Sequence, residues 1–161
     1  GGLCMTARDS EKLIMRPKET YDGAIPSGNS VAGMVLSKLS CLTGDTFFTD
    51  AAHRQLKFLA GAAYDYPAGF TFALSAMLPF VYPRKDLVCV SSENAVPPEL
   101  KTLAAERYTP CLTTLFKSPE NGKLLAPFTA DYPIPPSGQL WYLCENGACK
   151  PPETDFKDLK L

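Results

Sequence analysis

The ten residues Tyr21-Asp-Gly-Ala-Ile-Pro-Ser-Gly-Asn-Ser30 constrain this chain most, because they set a turn and a helix start directly before a periodic apolar segment. Gly23 and Gly28 permit positive φ, Pro26 stiffens the turn, and Ser27, Asn29 and Ser30 are natural N-caps. A helix from Asn29 to Thr43 follows. Val31, Val35, Leu39 and Leu42 recur at helical spacing with Met34 and Leu36, the apolar stripe by which such a helix packs. Gly44 then stops it and Asp45 caps the next. The same decapeptide puts Tyr21, Asp22, Ser27 and Asn29 at the positive end of a helix, where a polar or anionic ligand is readily held. Plain capping uses the same residues.

The remaining punctuation predicts two more helices and then a change of character. Phe48, Ala52, Leu56, Leu59 and Ala63 form one stripe, with Asp50, Arg54 and Lys57 on the wetter side, and Tyr66-Pro67 ends that helix. A third helix carries Phe70, Leu74, Met77, Leu78 and Val81 between Pro67 and Pro83, with Pro79 expected to kink or stop it. After Pro83, Asp86 to Ser91 reads as a strand, Pro98 to Tyr108 as a helix and Cys111 to Phe116 as a second strand, a β-α-β unit. Its first strand leads into Ser91-Ser-Glu-Asn94 without the glycine spacing of a nucleotide loop. Residues 118 to 139 hold seven prolines and glycines and read as an ordered connection. Leu140 to Cys149 returns as a hairpin, and a short terminal helix capped by Thr154 or Asp155 ends the chain.

Composition excludes several function classes. With 161 residues and 45% hydrophobic content, the chain has the size of about one domain and enough apolar surface for a core. Sixteen basic residues against seventeen acidic ones, with no Lys/Arg cluster, lack the footprint of a nucleic-acid partner. The longest apolar stretch, the thirteen residues Phe70 to Tyr82, falls short of the roughly twenty that span a bilayer, so no membrane partner is expected. The start, Gly1-Gly2-Leu3-Cys4, has no initiator Met, basic n-region or signal-type apolar region, and reads as an internal cut in a cytoplasmic protein.

Of the six cysteines, Cys4, Cys41, Cys89 and Cys111 lie in apolar or helical patterns and are expected as small core residues. Cys144 and Cys149 bracket Glu145-Asn-Gly-Ala148, and Asn-Gly is the strongest local signal for a type I′ hairpin. In that register the two cysteines face each other as a non-hydrogen-bonded pair, open to a disulfide or a shared metal, with two reduced thiols the ordinary intracellular state. They are the redox candidates. Metal is not expected, since His53 is the single histidine and fits no ligand spacing. No cofactor is implied.

Arg16-Pro-Lys-Glu19, the Tyr21–Ser30 decapeptide, Leu42-Thr-Gly-Asp45 and Cys144-Glu-Asn-Gly-Ala-Cys-Lys-Pro-Pro152 together resemble the C-terminal part of the YyaL-type thioredoxin-domain-containing proteins, which include spermatid-specific thioredoxin-like proteins. Order and spacing match along essentially the whole chain. The resemblance implies an N-terminal thioredoxin-like domain and a toroid of paired helices similar to six-hairpin glycosidases and N-acylglucosamine 2-epimerases. Neither that domain nor the early hairpins lie in these residues, which are then a fragment: residues 1–83 the end of an (α/α)6 toroid, and 84–161 a β-containing appendage packed on it. The expected fold is mixed α and β. Removing ring neighbours would expose apolar stripes, so self-association is expected too.

Two functions follow from the resemblance. In one, the parent acts on a carbohydrate as an isomerase or hydrolase, with Glu19 and Asp22 as candidate catalytic carboxylates and Arg16, Lys18, Tyr21, Ser27 and Asn29 as ligand-binding residues. The bland reading of these residues is a solvated charged loop in which Asp22 braces a turn. His53, on the flank of the second helix, is read as a packed or surface residue. In the other, the module is a non-catalytic scaffold or interaction unit serving the thioredoxin-like domain, with the cysteine hairpin structural or an exchange partner for its thiols.

Overall fold

In the computed structural model, which describes residues 1–11, 14–106, 109–125 and 127–161, Ser27 caps the first helix, α1 (Gly28–Thr43), its hydroxyl accepting from the Ser30 amide. Gly44 closes α1 in the left-handed region at φ 66°, and its N–H reaches the Ser40 carbonyl. Asp45 then caps α2 (Thr46–Ala63) by accepting from the Phe47 amide at 2.8 Å. A 3₁₀ turn over Pro67–Phe70 leads into α3 (Thr71–Val81). The expected stop at Pro79 does not occur. Pro79 sits within α3, which runs two residues past it to Val81 although the proline brings no N–H for the i−4 carbonyl. Gly23 and Gly28 do not take positive φ either; the turn before α1 is held by side-chain hydrogen bonds instead.

The chain divides into two units, Gly1–Val81 and Tyr82–Leu161. In the first, Leu56, Leu59, Ala63, Phe70, Ala73 and Ala76 form the core, with Met34, Phe58, Ala62 and Met77 packed around it. Helix α1 departs from the expected packing at its N-terminal half, although Met34 packs on the core and Leu36, Leu39 and Leu42 are half-buried. Its buried residues are Asn29, Ser30, Gly33, Ser37 and Ser40, whereas Val31 and Val35 remain 41% and 49% exposed. The reason is close approach: a Cβ at Gly33 would lie 3.0 Å from Leu59 Cδ1 and 3.2 Å from Leu56 Cδ2, so only small side chains fit against α2.

The second unit is a four-stranded sheet in the order β2-β1-β3-β4, formed by β1 (Lys85–Ser91), β2 (Leu112–Lys117), β3 (Gln139–Glu145) and β4 (Ala148–Cys149). Strands β1 and β2 run parallel across α4 (Pro98–Glu106), the predicted β-α-β unit, and β3 adds antiparallel on the other side of β1. The central strand is apolar on both faces, as its run Leu87-Val-Cys-Val90 requires. Leu87 and Cys89 pack with Leu100, Leu103, Leu112 and Trp141, whereas Val88 and Val90 pack with Tyr142. The predicted end of α4 at Arg107 and Tyr108 lies outside the described residues.

Between β2 and β3, a 3₁₀ turn over Pro127–Asp131 interrupts the predicted connection. The buried Lys117 ammonium binds the Thr129 carbonyl at 2.5 Å and the Tyr132 carbonyl at 2.8 Å. Asn146 and Gly147 turn the β3–β4 hairpin with φ 50° and 83°, the type I′ signature. The expected terminal helix is only a 3₁₀ turn, Phe156–Asp158, capped by Asp155 and tied to the sheet by Phe156 against Trp141 at 5.0 Å. Among the described residues, no helix is long and apolar enough to cross a membrane.

Candidate functional site

The carboxylate of Asp22 stands where the decapeptide meets α3, and its acceptors are taken. Oδ1 accepts from the Ser27 amide at 2.9 Å, and Oδ2 accepts from the Phe72 and Ala73 amides at 3.0 Å each. These last two are first-turn donors of α3, so Asp22 caps that helix from a distant point in sequence and meets the positive end of its dipole. Its own N–H donates to the Gly69 carbonyl at 2.8 Å. Burial pushes its pKa up, but the bonds from the Ser27 amide, the Ser30 hydroxyl and the Ala73 and Phe72 amides outweigh that and hold it below the ordinary aspartate value. A base so stabilised is a weak proton acceptor near neutral pH.

Asn29 is equally committed. Its Oδ1 accepts from the Leu3 amide at 2.6 Å and from Gln55 Nε2 at 2.9 Å, while Nδ2 donates to the Leu3 carbonyl at 2.9 Å and the Glu19 carbonyl at 2.6 Å. All four hydrogen-bonding positions of the amide are occupied. Gln55 completes the junction by accepting from the Gly2 amide at 2.9 Å, so the first residues of the chain are pinned against α1 and α2. Ser27 is likewise spent on its cap and on Ser30 Oγ, 2.9 Å away.

The remaining predicted residues lie on the surface. Glu19 Oε1 accepts from the Tyr21 amide at 3.0 Å, Lys18 Nζ binds the Gly1 carbonyl and sits over the Phe58 ring, and Arg16 Nη2 donates to the Thr6 carbonyl at 2.7 Å. Tyr21 is half exposed and edges against Phe70. Its ring and that of Tyr66 both close over Gly69, where a Cβ would meet them at 2.7 and 2.8 Å. His53 is exposed, with its ring against Phe80 at 5.1 Å. The structure therefore gathers Asp22, Ser27 and Asn29 as a bracing network, with Glu19 tied in through its backbone, and leaves Arg16 and Lys18 as neighbours of the first residues. It does not assemble an open acid/base pair.

Cys144 and Cys149 are joined by a disulfide across the hairpin, opposite each other in the predicted register. The Tyr132 hydroxyl lies 3.5 Å from Cys144 Sγ and 3.2 Å from Cys149 Sγ, a neighbour that sequence spacing did not indicate. Its signal in the sequence was its place between Pro127 and the Pro133-Ile-Pro-Pro136 run. The Tyr132 ring packs on Tyr142 at 4.6 Å. Burial, then the negative charges of Asp86 and Asp131, raise the Tyr132 hydroxyl above its usual pKa and keep it a donor.

Of the four other cysteines only Cys89 is buried, so the core expectation fails for Cys4, Cys41 and Cys111, which are half-buried. Burial, with a smaller contribution from the Glu99 charge, pushes the Cys89 thiol up to about 12 and makes it unreactive. Among the described residues no cluster of His, Cys, Asp and Glu is arranged to hold a metal ion. The second unit has a cleft of about 350 Å³ whose ionisable residues, Glu99 and Glu106, stand among Pro98, Leu103, Phe156 and Leu161. In comparison with known proteins, no family model, no curated protein and no solved structure matches the chain.

Proposed function

We propose that the chain is a non-catalytic interaction module. Its helical unit is one section of a toroid of paired helices, of the kind the resemblance implies for a protein carrying a thioredoxin-like domain. The outward face of α1 seats the neighbouring helix pair. One observation carries this reading: α1 buries its serines and Gly33 and turns Val31 and Val35 to solvent. Two valines one turn apart on an exposed helix face leave apolar area in water, a cost that a second apolar face removes. The site residues support the same reading, because Asp22 and Asn29 spend their polar atoms on the fold.

In the isolated chain, a second copy is the helix pair available to cover that face. Sedimentation equilibrium up to millimolar loading is expected to show association that Val31→Glu with Val35→Glu abolishes. A wild-type chain that stays monomeric throughout would overturn the proposal. A carbohydrate role is favoured by one feature alone, the exposed rings of Tyr21 and Tyr66 over Gly69, which offer faces to a sugar ring. Thermal shift against a sugar panel tests it: a ligand that stabilises wild type but not Tyr66→Ala would restore that reading.

A further inference from the structure

We propose that the Cys144–Cys149 disulfide is a thiol–disulfide exchange site, attacked at Cys149 by a dithiol reductant, with the Tyr132 hydroxyl as hydrogen-bond donor to the departing Cys144 sulfur. The two sulfurs are not equivalent. Cys144 is 3% exposed, in β3, whereas Cys149 is exposed at the end of the two-residue edge strand β4. An external thiolate therefore reaches the Cys149 side of the bond, and the sulfur that must leave is the enclosed one.

Leaving is the difficult part. Cys144 stands opposite Asp86 in the β1–β3 register, so a thiolate forming there forms beside a carboxylate whose charge the Arg84 guanidinium, 3.5 Å away, only partly offsets. The Tyr132 hydroxyl lies against both sulfurs, 3.2 Å from Cys149 Sγ and 3.5 Å from Cys144 Sγ, and supplies the offsetting donor once the bond opens and the charge sits on Cys144. Its position is set from three sides: the ring packs on Tyr142, the Tyr132 amide donates to the Thr129 carbonyl at 3.2 Å, and its carbonyl accepts from the buried Lys117 ammonium at 2.8 Å. That is a built arrangement around a disulfide, on a segment that pairs with no strand.

The step balances as a two-electron exchange. The first thiolate of the reductant forms a bond to Cys149 Sγ, the Cys144–Cys149 bond breaks, and its electron pair stays on Cys144, which takes up a proton. The second thiolate of the reductant attacks its own sulfur in the mixed disulfide. Cys149 leaves as a thiolate and is protonated in turn, and the reductant departs as a cyclic or intramolecular disulfide. The chain gains two electrons and two protons, and the dithiol loses them.

Reduction of the full chain by dithiothreitol under native conditions, followed by acid quench, alkylation and peptide mass, tests the proposal. Reduction is expected without denaturant, and Tyr132→Phe, which keeps the ring, should slow it about tenfold. Glutathione in place of the dithiol should accumulate a mixed disulfide on Cys149, which separates a monothiol source from a dithiol one. A thermal unfolding curve unchanged in Tyr132→Phe shows that the slower rate is not a packing effect. Equal rates in the two proteins, attachment of glutathione to Cys144, or reduction only after denaturation would each overturn the proposal.

Discussion

Replacing Asp22 by Asn removes one charge and almost no volume, and the structure gives the cost. In the carboxylate, Oδ1 serves the Ser27 amide and Oδ2 serves the Phe72 and Ala73 amides. An asparagine that places its oxygen at the α3 donors turns its NH₂ toward the Ser27 N–H; the opposite orientation loses two bonds instead of one. The cheaper choice forfeits one charge-assisted bond and the helix-dipole attraction, about 2 kcal/mol after allowance for partial exposure. Urea unfolding followed by far-UV circular dichroism measures the loss. Hydrogen exchange should place it, with the Phe72 and Ala73 amides losing protection.

The pH dependence adds a sign. Although burial opposes it, the net effect of the hydrogen bonds is a folded-state pKa below the unfolded one, so the unfolded chain binds the proton first as pH falls. The contribution of Asp22 is fully present above the unfolded carboxyl value and is lost as pH falls through the folded one. The gap between wild type and Asp22→Asn should therefore be full at neutral pH and close in acid. A variant within about 0.5 kcal/mol of wild type at neutral pH, the ordinary range for a surface change, would refute the bracing role. A gap that does not close in acid would do the same.

Asn29→Ala removes the partner of the Leu3 amide, of the Leu3 and Glu19 carbonyls, and one of the two acceptors of Gln55 Nε2, at a site 4% exposed, and should cost about 3 kcal/mol in urea unfolding, with faster proteolysis before residue 20. Native-state alkylation with iodoacetamide should label Cys4, Cys41 and Cys111 before Cys89, whose thiol is buried and held near 12; early labelling of Cys89 would contradict the packing of the sheet.

Local chemistry made the caps, the hairpin and the β-α-β unit legible. Ser27, Asp45 and Gly44 act where their residue types indicate, and Asn146-Gly147 makes the type I′ turn. Failures came where tertiary packing overrides period. The spacing of Val31, Val35, Leu39 and Leu42 marks an apolar stripe but does not say which side faces α2; the deciding residue is Gly33, which admits the Leu56 and Leu59 side chains at a distance a valine would forbid. The polar residues before α1 are readable as cap or ligand site from sequence alone. Their long-range partners, Phe72, Ala73, Gln55 and Leu3, lie beyond any local pattern and settle how the atoms are used. Tyr132 was invisible for the same reason, since its approach to the disulfide depends on a loop held by a buried lysine.

The central claim is that the outward α1 face is an interaction surface, and methyl-resolved NMR over a dilution series tests it residue by residue. The account predicts that Val31 and Val35 resonances move with concentration while those of the core residues Leu56 and Leu59 hold still. Val31 and Val35 methyls unchanged from micromolar to millimolar, with the chain folded, would contradict it.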